Sequence, residues 1–300
     1  MLKIAWNDQY NHPLPPGHRF PMIKYDLLPE QLLYEGTIVN ENLFFPGPLS
    51  EADIITTHTR EYWEKLKLGK LTKSEERRTG FPYSKSLIER ECAIAQGTID
   101  CALFALEFGV SINVAGGTHH AYSSKGEGFC LLNDIAIAAK YLINNKGFKR
   151  ILVVDLDVHQ GDGTAEIFSN SENVFTFSMH GENNYPLKKQ KSYLDIPLKD
   201  KTTDKEYLNT LDSQLKRLIN DVHPQFIFYQ AGVDILETDK LGRLSISPQG
   251  CRMRDKMVLE MCKKNKIPVA ISMGGGYSKS LHHIIDAHAN TFRLTQEIFF

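Results

Sequence analysis

A chain of 300 residues can bury the core of one large α/β domain or of two small ones. With 42% hydrophobic and 24% charged residues, its composition excludes a disordered chain, a collagen-like repeat and a coiled coil. The formal net charge of −1 gives no reason to predict nucleic acid as a partner. No apolar run approaches the roughly 20 residues that span a bilayer, so a membrane is not predicted either.

The first residues and the cysteines bear on the cellular compartment. The segment from Met1 to Asp8 turns polar too soon for a secretory signal and predicts a first β-strand instead. The cysteines form no CxxC pair and no tight framework, so we expect reduced, partly buried thiols in a chain of this size. These are Cys92, Cys101, Cys130, Cys251 and Cys262. A cytoplasmic protein is therefore predicted.

Two segments within the first eighty or so residues are predicted as loops. The stretch Tyr10–Pro21 holds four prolines and a glycine, which interrupt helices and strands. The stretch Leu68–Pro82 is rich in charged residues and is predicted as a second loop. Regular elements are therefore expected mainly after residue 85.

Beyond that point, short apolar runs alternate with longer stretches of helical spacing. The predicted buried strands are Ser111–Ala115, Arg150–Val154, Val174–Ser178, Gln225–Tyr229 and Pro268–Ser272. The predicted helices are Ser86–Phe108, Asn133–Asn144, Asp204–Val222 and Pro248–Asn265. No repeat, low-complexity tract or linker divides the chain. The sequence therefore predicts one α/β domain over residues 1–300, with an open, mostly parallel sheet flanked by helices on both faces.

Four polar segments each follow the end of a predicted buried strand. They are Gly116–His120, Asp155–Gly163, Ala231–Asp234 and Gly274–Tyr277. In open parallel sheets, ligands bind outside the carboxyl ends of the strands. We therefore expect the four segments to form one site, and their coincidence is far more specific than any one of them alone.

A metal site is predicted from the second and third of these segments. Residues 157–159 are predicted to extend the strand, so Asp157 and His159 point the same way and bind one ion together. Asp234 supplies a third ligand and leaves room for water and substrate, as catalytic metal sites require. One histidine with two carboxylates suits Zn(II), while Fe(II) and Mn(II) remain chemically reasonable. The alternative is that these aspartates only cap turns and a helix start.

Acid–base chemistry is predicted at the histidine pair, His119 and His120, which follows a diglycine. A neutral imidazole beside an activated water can accept its proton and return it to a departing amine. Asp155 and Asp162 are spare carboxylates that could orient the two rings. The plain alternative is a histidine pair in a surface loop.

The glycine run Gly274–Gly276 ends at Tyr277. Alone it is weak evidence for a site, because glycine turns after strands are common. Beside a metal ion, the hydroxyl of Tyr277 is suited to donate a hydrogen bond to the oxyanion of a tetrahedral intermediate.

Together these motifs resemble the histone deacetylase family. The resemblance runs from about Ile4 to the C-terminus and rests on five motifs in the family's order and spacing: Gly116–His120, Gly126–Cys130, Asp155–Gly163, Asp234 and Gly274–Tyr277. Gln160, in place of a second histidine, and the segment His18–Met22 are closer to the class IV branch and its bacterial relatives. The resemblance implies the arginase-deacetylase fold, with Zn(2+) held by Asp157, His159 and Asp234.

The resemblance also implies roles for the other polar residues. His120, oriented by Asp162, would be the main general base and acid. His119, oriented by Asp155, would be its electrostatic partner. Tyr277 would polarise the acyl carbonyl of the substrate.

A tunnel for an acyl-lysine side chain and a second cation site are implied as well. The tunnel would be lined by Gly128, Phe129, Cys130, Tyr185, Gly275 and Gly276. Phe129 and Tyr185 would form its aromatic walls, for which ordinary core packing is the alternative. The Gly128 carbonyl would face the scissile N–H. A structural monovalent cation, usually K(+), would be held by backbone groups of Asp155, Asp157 and His159, together with Ser178 and Met179.

The predicted reaction is hydrolysis of an Nε-acyl-lysine amide in a protein or peptide. A close rival is an acetylpolyamine amidohydrolase, which resembles this chain in every catalytic motif and acts on small acylated amines. An arginase-like ureohydrolase would need a second metal ion, for which only Asp239 follows Asp234 at short range. A non-catalytic binding module should lack a metal ligand, the general base or the tyrosine.

At the tunnel rim, where several family members carry an acidic residue, the stretch Thr79–Pro82 has none.

Overall fold

Eight parallel strands form one sheet in the computed structural model, which describes residues 1–300. The strands are β1 (Lys3–Ala5), β2 (Leu43–Phe44), β3 (Val110–Asn113), β4 (Ile151–Asp155), β5 (Val174–Gly181), β6 (Leu194–Leu198), β7 (Phe226–Gln230) and β8 (Val269–Ser272). Their order is β2-β1-β3-β8-β7-β4-β5-β6, and every neighbouring pair is parallel. The six predicted strands are confirmed, and the two edge strands β2 and β6 are additional.

Ten α-helices accompany the sheet. They are α1 (Lys24–Tyr34), α2 (Glu51–Thr57), α3 (Arg60–Lys67), α4 (Lys73–Thr79), α5 (Lys85–Phe108), α6 (Asp134–Lys146), α7 (Asp162–Ile167), α8 (Asp204–Val222), α9 (Pro248–Asn265) and α10 (Leu281–Phe299). The four predicted helices are all present, and α5 and α6 end at glycines in the left-handed conformation, Gly109 and Gly147. None of the ten is both long and apolar enough to cross a bilayer.

The middle of the sheet is completely buried. Every residue of β3, β4, β7 and β8 is buried, so helices cover both faces, as continuous apolar strands require. One hydrophobic cluster of 79 buried residues serves the whole chain. All five cysteines are free and four of them are buried, as predicted. The cytoplasmic location stays a prediction.

The charged segment Leu68–Pro82 contains a helix, so its prediction as a loop was wrong. The Thr72 hydroxyl accepts the N–H of Glu75 at 3.2 Å, and the Glu75 carboxylate accepts the N–H of Thr72 at 2.7 Å. This reciprocal cap satisfies two N–H groups that a helix start leaves unpaired. Gly80 then ends α4 with a φ of 78°. The capping pattern, rather than the abundance of charge, decides the local structure.

His58 joins a loop of the site to the start of α6. Its Nε2 accepts the N–H of Asn133 at 3.0 Å, so Nδ1 carries the proton and donates it to the Tyr122 carbonyl at 3.0 Å. A second proton on the ring would remove the acceptor that Asn133 needs. Burial accordingly lowers the pKa of His58 to about 4.

We expect the free energy of unfolding to fall as the pH drops from about 6.5 to about 4, in part because of His58. The unfolded chain binds a proton with an imidazole pKa of about 6.5, whereas the folded chain keeps this ring neutral. The stabilisation is therefore complete above pH 6.5 and is lost in acid, by up to about 3 kcal/mol. Chemical unfolding across this range should show a shallower pH dependence in His58→Gln than in wild type. His283→Gln, at an exposed position, is the control. Equal slopes in all three proteins would contradict the role of His58.

Candidate active site

The four polar segments follow β3, β8, β7 and β4, which are neighbours in the sheet. Because parallel strands end at the same edge, these segments lie side by side. Backbone hydrogen bonds join them: the Gly274 N–H donates to the Gly116 carbonyl at 3.2 Å, and the Val233 N–H donates to the Gly275 carbonyl at 2.8 Å. Sheet order alone therefore brings together residues as far apart in the sequence as Gly116 and Tyr277.

Asp157, His159 and Asp234, called the metal group below, have ligand atoms that all lie within 4.8 Å of one another. His159 Nδ1 is 3.0 Å from Asp157 Oδ1 and 3.1 Å from Asp234 Oδ2. The predicted strand extension was wrong, because β4 ends at Asp155 and the next residues form an irregular turn. Carboxylates shape that turn: Asp157 accepts the N–H of His159 at 3.0 Å, and Asp234 accepts the N–H of Val158 at 2.9 Å.

The metal group fits a divalent transition-metal ion. Asp157 and Asp234 are 1% and 0% exposed, and two buried carboxylates need a compensating positive charge. Burial and the proximity of Asp157 raise the pKa of Asp234 to about 7. Burial alone would lower the pKa of His159, but its contacts with both carboxylates raise it to about 10. One nitrogen and two oxygen ligands form a donor set that Zn(II), Fe(II) and Mn(II) accept.

The histidine pair is buried, and a carboxylate holds each ring. His119 Nδ1 lies 2.7 Å from Asp155 Oδ2, and His120 Nδ1 lies 2.6 Å from Asp162 Oδ1. Because a carboxylate only accepts hydrogen bonds, each Nδ1 donates and each Nε2 is the free nitrogen. Asp162 also accepts the hydroxyl of Tyr122 at 2.7 Å. The structure thus brings all four predicted acid–base residues together in two pairs.

The two histidines differ in their affinity for a proton. Burial lowers the pKa of His120 to about 4, and the positive charge of His119 acts in the same direction. Burial also disfavours the charged form of His119, but Asp155 and Asp157 outweigh it and raise the pKa of His119 to about 9. These shifts favour a neutral His120, which can accept a proton, and a protonated His119 wherever Asp155 and Asp157 carry their negative charges.

Asp134, the first residue of α6, fixes the loop that carries the histidine pair. Its carboxylate accepts the N–H of Gly117 at 3.1 Å and both the N–H and the hydroxyl of Thr118, at 2.8 and 2.7 Å. Gly117 has a φ of 75°, and a Cβ there would lie 2.9 Å from the Cα of Gly274. The histidine loop and the tyrosine loop are therefore in backbone contact, which only glycine permits at this point.

A cavity of about 390 Å³ opens beside the metal group. Of the predicted site residues, it is lined by His119, His120, Gly128, Phe129, Cys130, Asp157, His159, Tyr185, Gly275 and Tyr277. The prediction that Gly276 lines the tunnel was wrong, because a Cβ on Gly276 would meet the side chains of Val233 and Ile284 in the core. Gly274 lines the cavity instead. The Asp234 carboxylate is the deepest of the metal group, with no exposed surface.

Aromatic rings surround the cavity. The Tyr185 ring stands edge-on to His120, with centroids 4.9 Å apart, and the Phe129 ring lies 5.9 Å from that of Tyr277. Phe20 adds a ring to this wall, 5.2 Å from Phe129 and 6.0 Å from Tyr277. The sequence motif that contains Phe20 was noted, but its position in the wall was not predicted.

Two buried polar residues hold groups of the site by hydrogen bonds, and neither was predicted from the sequence. Lys24 donates from Nζ to the Gly274 carbonyl at 2.9 Å, and burial lowers its pKa to about 8 although Asp234 and Asp157 oppose this. Gln230 donates from Nε2 to Asp157 Oδ2 at 2.9 Å. Gln230 is the last residue of an apolar strand. A polar residue at that position is the one sequence signal that could have indicated its place in the site.

The segments that the resemblance assigns to a monovalent cation are adjacent in the sheet. Asp155 at the end of β4 pairs in register with Ser178 of β5, and Met179 follows directly. All three residues are buried. A K(+) ion at this point stays a proposal.

Comparison with known sequences identifies the family. Residues 18–292 match the family of the histone deacetylase domain. The chain belongs to the histone deacetylase family. Its members are hydrolases that act on amide bonds, and this chain is therefore an amide hydrolase. The family generally uses a metal ion, and the metal group described above could hold one.

Histone deacetylase relatives share both sequence and fold with this chain. An uncharacterized protein of Picosynechococcus sp. is 41% identical over 99% of both chains. A probable deacetylase of Archaeoglobus fulgidus is 30% identical over 92% of this chain and 81% of its own length. The crystal structure of an HDAC homolog from Aquifex aeolicus has a TM-score of 0.84 at 25% identity, covering 98% of this chain and 84% of the other. The predicted fold is confirmed, and closer kinship with class IV stays a prediction.

Proposed function

We propose that this enzyme removes acetyl or longer acyl groups from the Nε-amine of lysine in proteins or peptides, with Zn(2+) as its metal ion. The observation that carries the proposal is the convergence of the metal group, the carboxylate-held histidine pair and Tyr277 on one cavity. A volume of about 390 Å³ and aromatic walls suit an extended, largely apolar side chain. Such a cavity accepts the methylene stem of an acyl-lysine and leaves its backbone outside.

In this proposal, His120 carries out both proton transfers. A bound divalent ion supplies a water of lowered pKa and a polarised acyl oxygen. His120 Nε2, the nitrogen left free by Asp162, takes the proton as the water oxygen bonds to the acyl carbon. It then returns that proton to the nitrogen as the C–N bond breaks, giving a carboxylic acid and an amine, which exchange a proton to become a carboxylate and an ammonium ion. The positive His119 and the hydroxyl of Tyr277 stabilise the oxyanion between these steps.

A two-metal ureohydrolase reaction is not supported by the geometry. Asp239, the further candidate ligand, accepts the N–H groups of Tyr277 at 2.6 Å and of Leu241 at 2.8 Å, and so serves the loops. One group with metal-ligand spacing is present, which suits a single ion. A binding module without activity is not supported either, because no member of the predicted machinery is missing.

Metal removal combined with a substrate panel tests the proposal. We expect chelation to abolish turnover of an acetyl-lysine peptide and Zn(2+) to restore it, with no restoration by Mg(2+), which rarely accepts imidazole. On the reloaded enzyme, kcat/KM should be higher for acetyl- or long-chain acyl-lysine peptides than for acetylputrescine. Full activity after complete metal removal would refute metal dependence, and a preference for acetylputrescine would favour the polyamine reaction.

A further inference from the structure

The mouth of the substrate cavity carries free positive charge. Three exposed arginines line it: Arg19, Arg78 and Arg243. A fourth lining arginine, Arg90, lies buried and is paired with Glu91. Among all residues that line the cavity, the one carboxylate is that of Asp157, which belongs to the metal group at its base.

The three exposed arginines come from separate parts of the chain. Arg19 belongs to the proline-rich loop before α1, and its guanidinium carbon lies 4.9 Å from the centroid of the Phe129 ring. Arg78 lies in the last turn of α4. Arg243, in the loop between β7 and α9, contacts Asp200 at 3.5 Å, whereas Arg19 and Arg78 have no carboxylate within ion-pair distance. Two of the three charges are therefore uncompensated.

Two acidic side chains that are close in sequence to residues of the mouth already have partners. Glu127 forms an ion pair with Lys125 at 2.5 Å and accepts the hydroxyl of Tyr185 at 2.5 Å. Glu75, on the same helix as Arg78, pairs with Lys65 at 3.3 Å. The loop from residue 11 to residue 22 contains no acid at all. The positive charge thus faces solvent, although the net charge of the whole chain is −1.

We propose that the enzyme selects acylated amines that carry a carboxylate just outside the tunnel, an inference that rests on the proposed deacylase function. With the acyl-lysine stem inside the cavity, the backbone and its neighbours lie at the mouth, within reach of Arg19 and Arg78. A guanidinium binds a carboxylate through two parallel hydrogen bonds. A polyamine substrate would instead bring a second cation towards these arginines. The carboxylate comes either from an acidic residue that flanks the acyl-lysine or from the α-carboxylate of a small acylated amino acid.

The test compares substrates that differ only in charge. Three acetyl-lysine peptides carry Asp, Asn or Lys beside the acetyl-lysine, and free Nε-acetyl-lysine is compared with its α-carboxamide. We expect kcat/KM to be about tenfold higher for the Asp than for the Lys peptide at an ionic strength of about 0.01 M. The ratio should fall to about twofold at about 1 M, where charges are screened within a few ångströms. A preference for free Nε-acetyl-lysine over its carboxamide, without a peptide effect, would identify the small acylated amino acid as the source.

Arginine variants tie the selectivity to the mouth. In the double variant Arg19→Gln/Arg78→Gln, the Asp-to-Lys ratio at low salt should fall to about twofold. The control Lys216→Gln/Arg217→Gln removes the same charge from exposed positions on α8 and should keep the ratio of the wild type. Equal kcat/KM for all three peptides in the wild type, or an unchanged ratio in the arginine variant, would overturn the inference.

Peptide binding separates this inference from the proposed function. Tyr277→Phe removes one hydroxyl and is used to measure affinity for the same peptides by fluorescence anisotropy. Tighter binding of the Asp peptide, with no hydrolysis by the wild type, would retain charge selection and reject the deacylase function. Hydrolysis of all peptides at one rate would retain the deacylase function and reject charge selection. Failure of every peptide to bind or react would reject both.

Discussion

Replacing His120 with alanine is expected to lower kcat by about 10²- to 10⁴-fold, because the ring is assigned both proton transfers. The His119 ring, whose centroid lies 4.2 Å away, is not expected to take over, because Asp155 and Asp157 raise its pKa to about 9 and so favour its protonated form. Steady-state kinetics of the metal-loaded variant on an acetyl-lysine peptide gives kcat and KM separately. The loss should fall mainly on kcat, since the ring acts on the reacting atoms rather than on the lysine stem.

A matched control exists on α10, where His282 and His283 form a second adjacent pair at exposed positions. His283→Ala should retain the kcat of the wild type. Thermal unfolding of His120→Ala should remain cooperative, which separates a chemical effect from a folding defect. Turnover close to that of the wild type in His120→Ala would remove this residue from the mechanism.

Asp234→Asn is expected to weaken Zn(2+) binding by more than about 100-fold and to lower activity in parallel. Loss of partners outside the ligand shell already costs 10- to 100-fold in metal affinity, and a ligand that loses its charge should cost more. The asparagine oxygen can still accept the N–H of Val158, so the turn after β4 should persist. Metal content after dialysis and the rise in melting temperature on adding Zn(2+) measure the effect, since an ion that binds only the folded state raises its stability.

Asp212→Asn is the control for this experiment, because Asp212 is exposed on α8 beside Lys216. It should bind one Zn(2+) per chain and melt at the temperature of the wild type. For Asp234→Asn, the metal-free form should still unfold cooperatively, because the asparagine oxygen can accept the N–H of Val158. Retention of a full equivalent of Zn(2+) in Asp234→Asn would exclude Asp234 as a ligand.

The positions of the site segments could be predicted because buried parallel strands have a clear sequence pattern. Apolar runs end at residues such as Asp155 and Gln230, and polar residues that follow them must lie at the edge where ligands bind. The pairing of the histidines with Asp155 and Asp162 is likewise present in the structure. The route of the backbone between Asp157 and His159 was not predictable from alternation, because carboxylate hydrogen bonds rather than a strand shape that turn.

The cavity mouth could not be predicted from local sequence, because tertiary contacts determine it. The proline-rich loop has no period, yet His18 Nε2 lies 2.8 Å from the Gly80 carbonyl and ties the loop to the end of α4. That contact helps to place Phe20 and Arg19 beside Phe129. The helix α4 was predicted as a loop because its many charged residues were given more weight than its capping pattern. Rim residues therefore become visible only when distant segments are assembled.

The contact between Gly117 and Gly274 has a consequence for how substrate range can change. The separation of the His120 ring from Tyr277 is constrained where the backbones of Gly117 and Gly274 meet beside the side chain of Gln230, and a Cβ at either glycine would collide there. Cavity-lining positions such as Phe129 and Cys130 lie outside that contact. Replacements there can reshape the tunnel for a shorter or longer acyl chain while the spacing of the reacting groups is preserved. Selectivity and chemistry are thus separable within this fold.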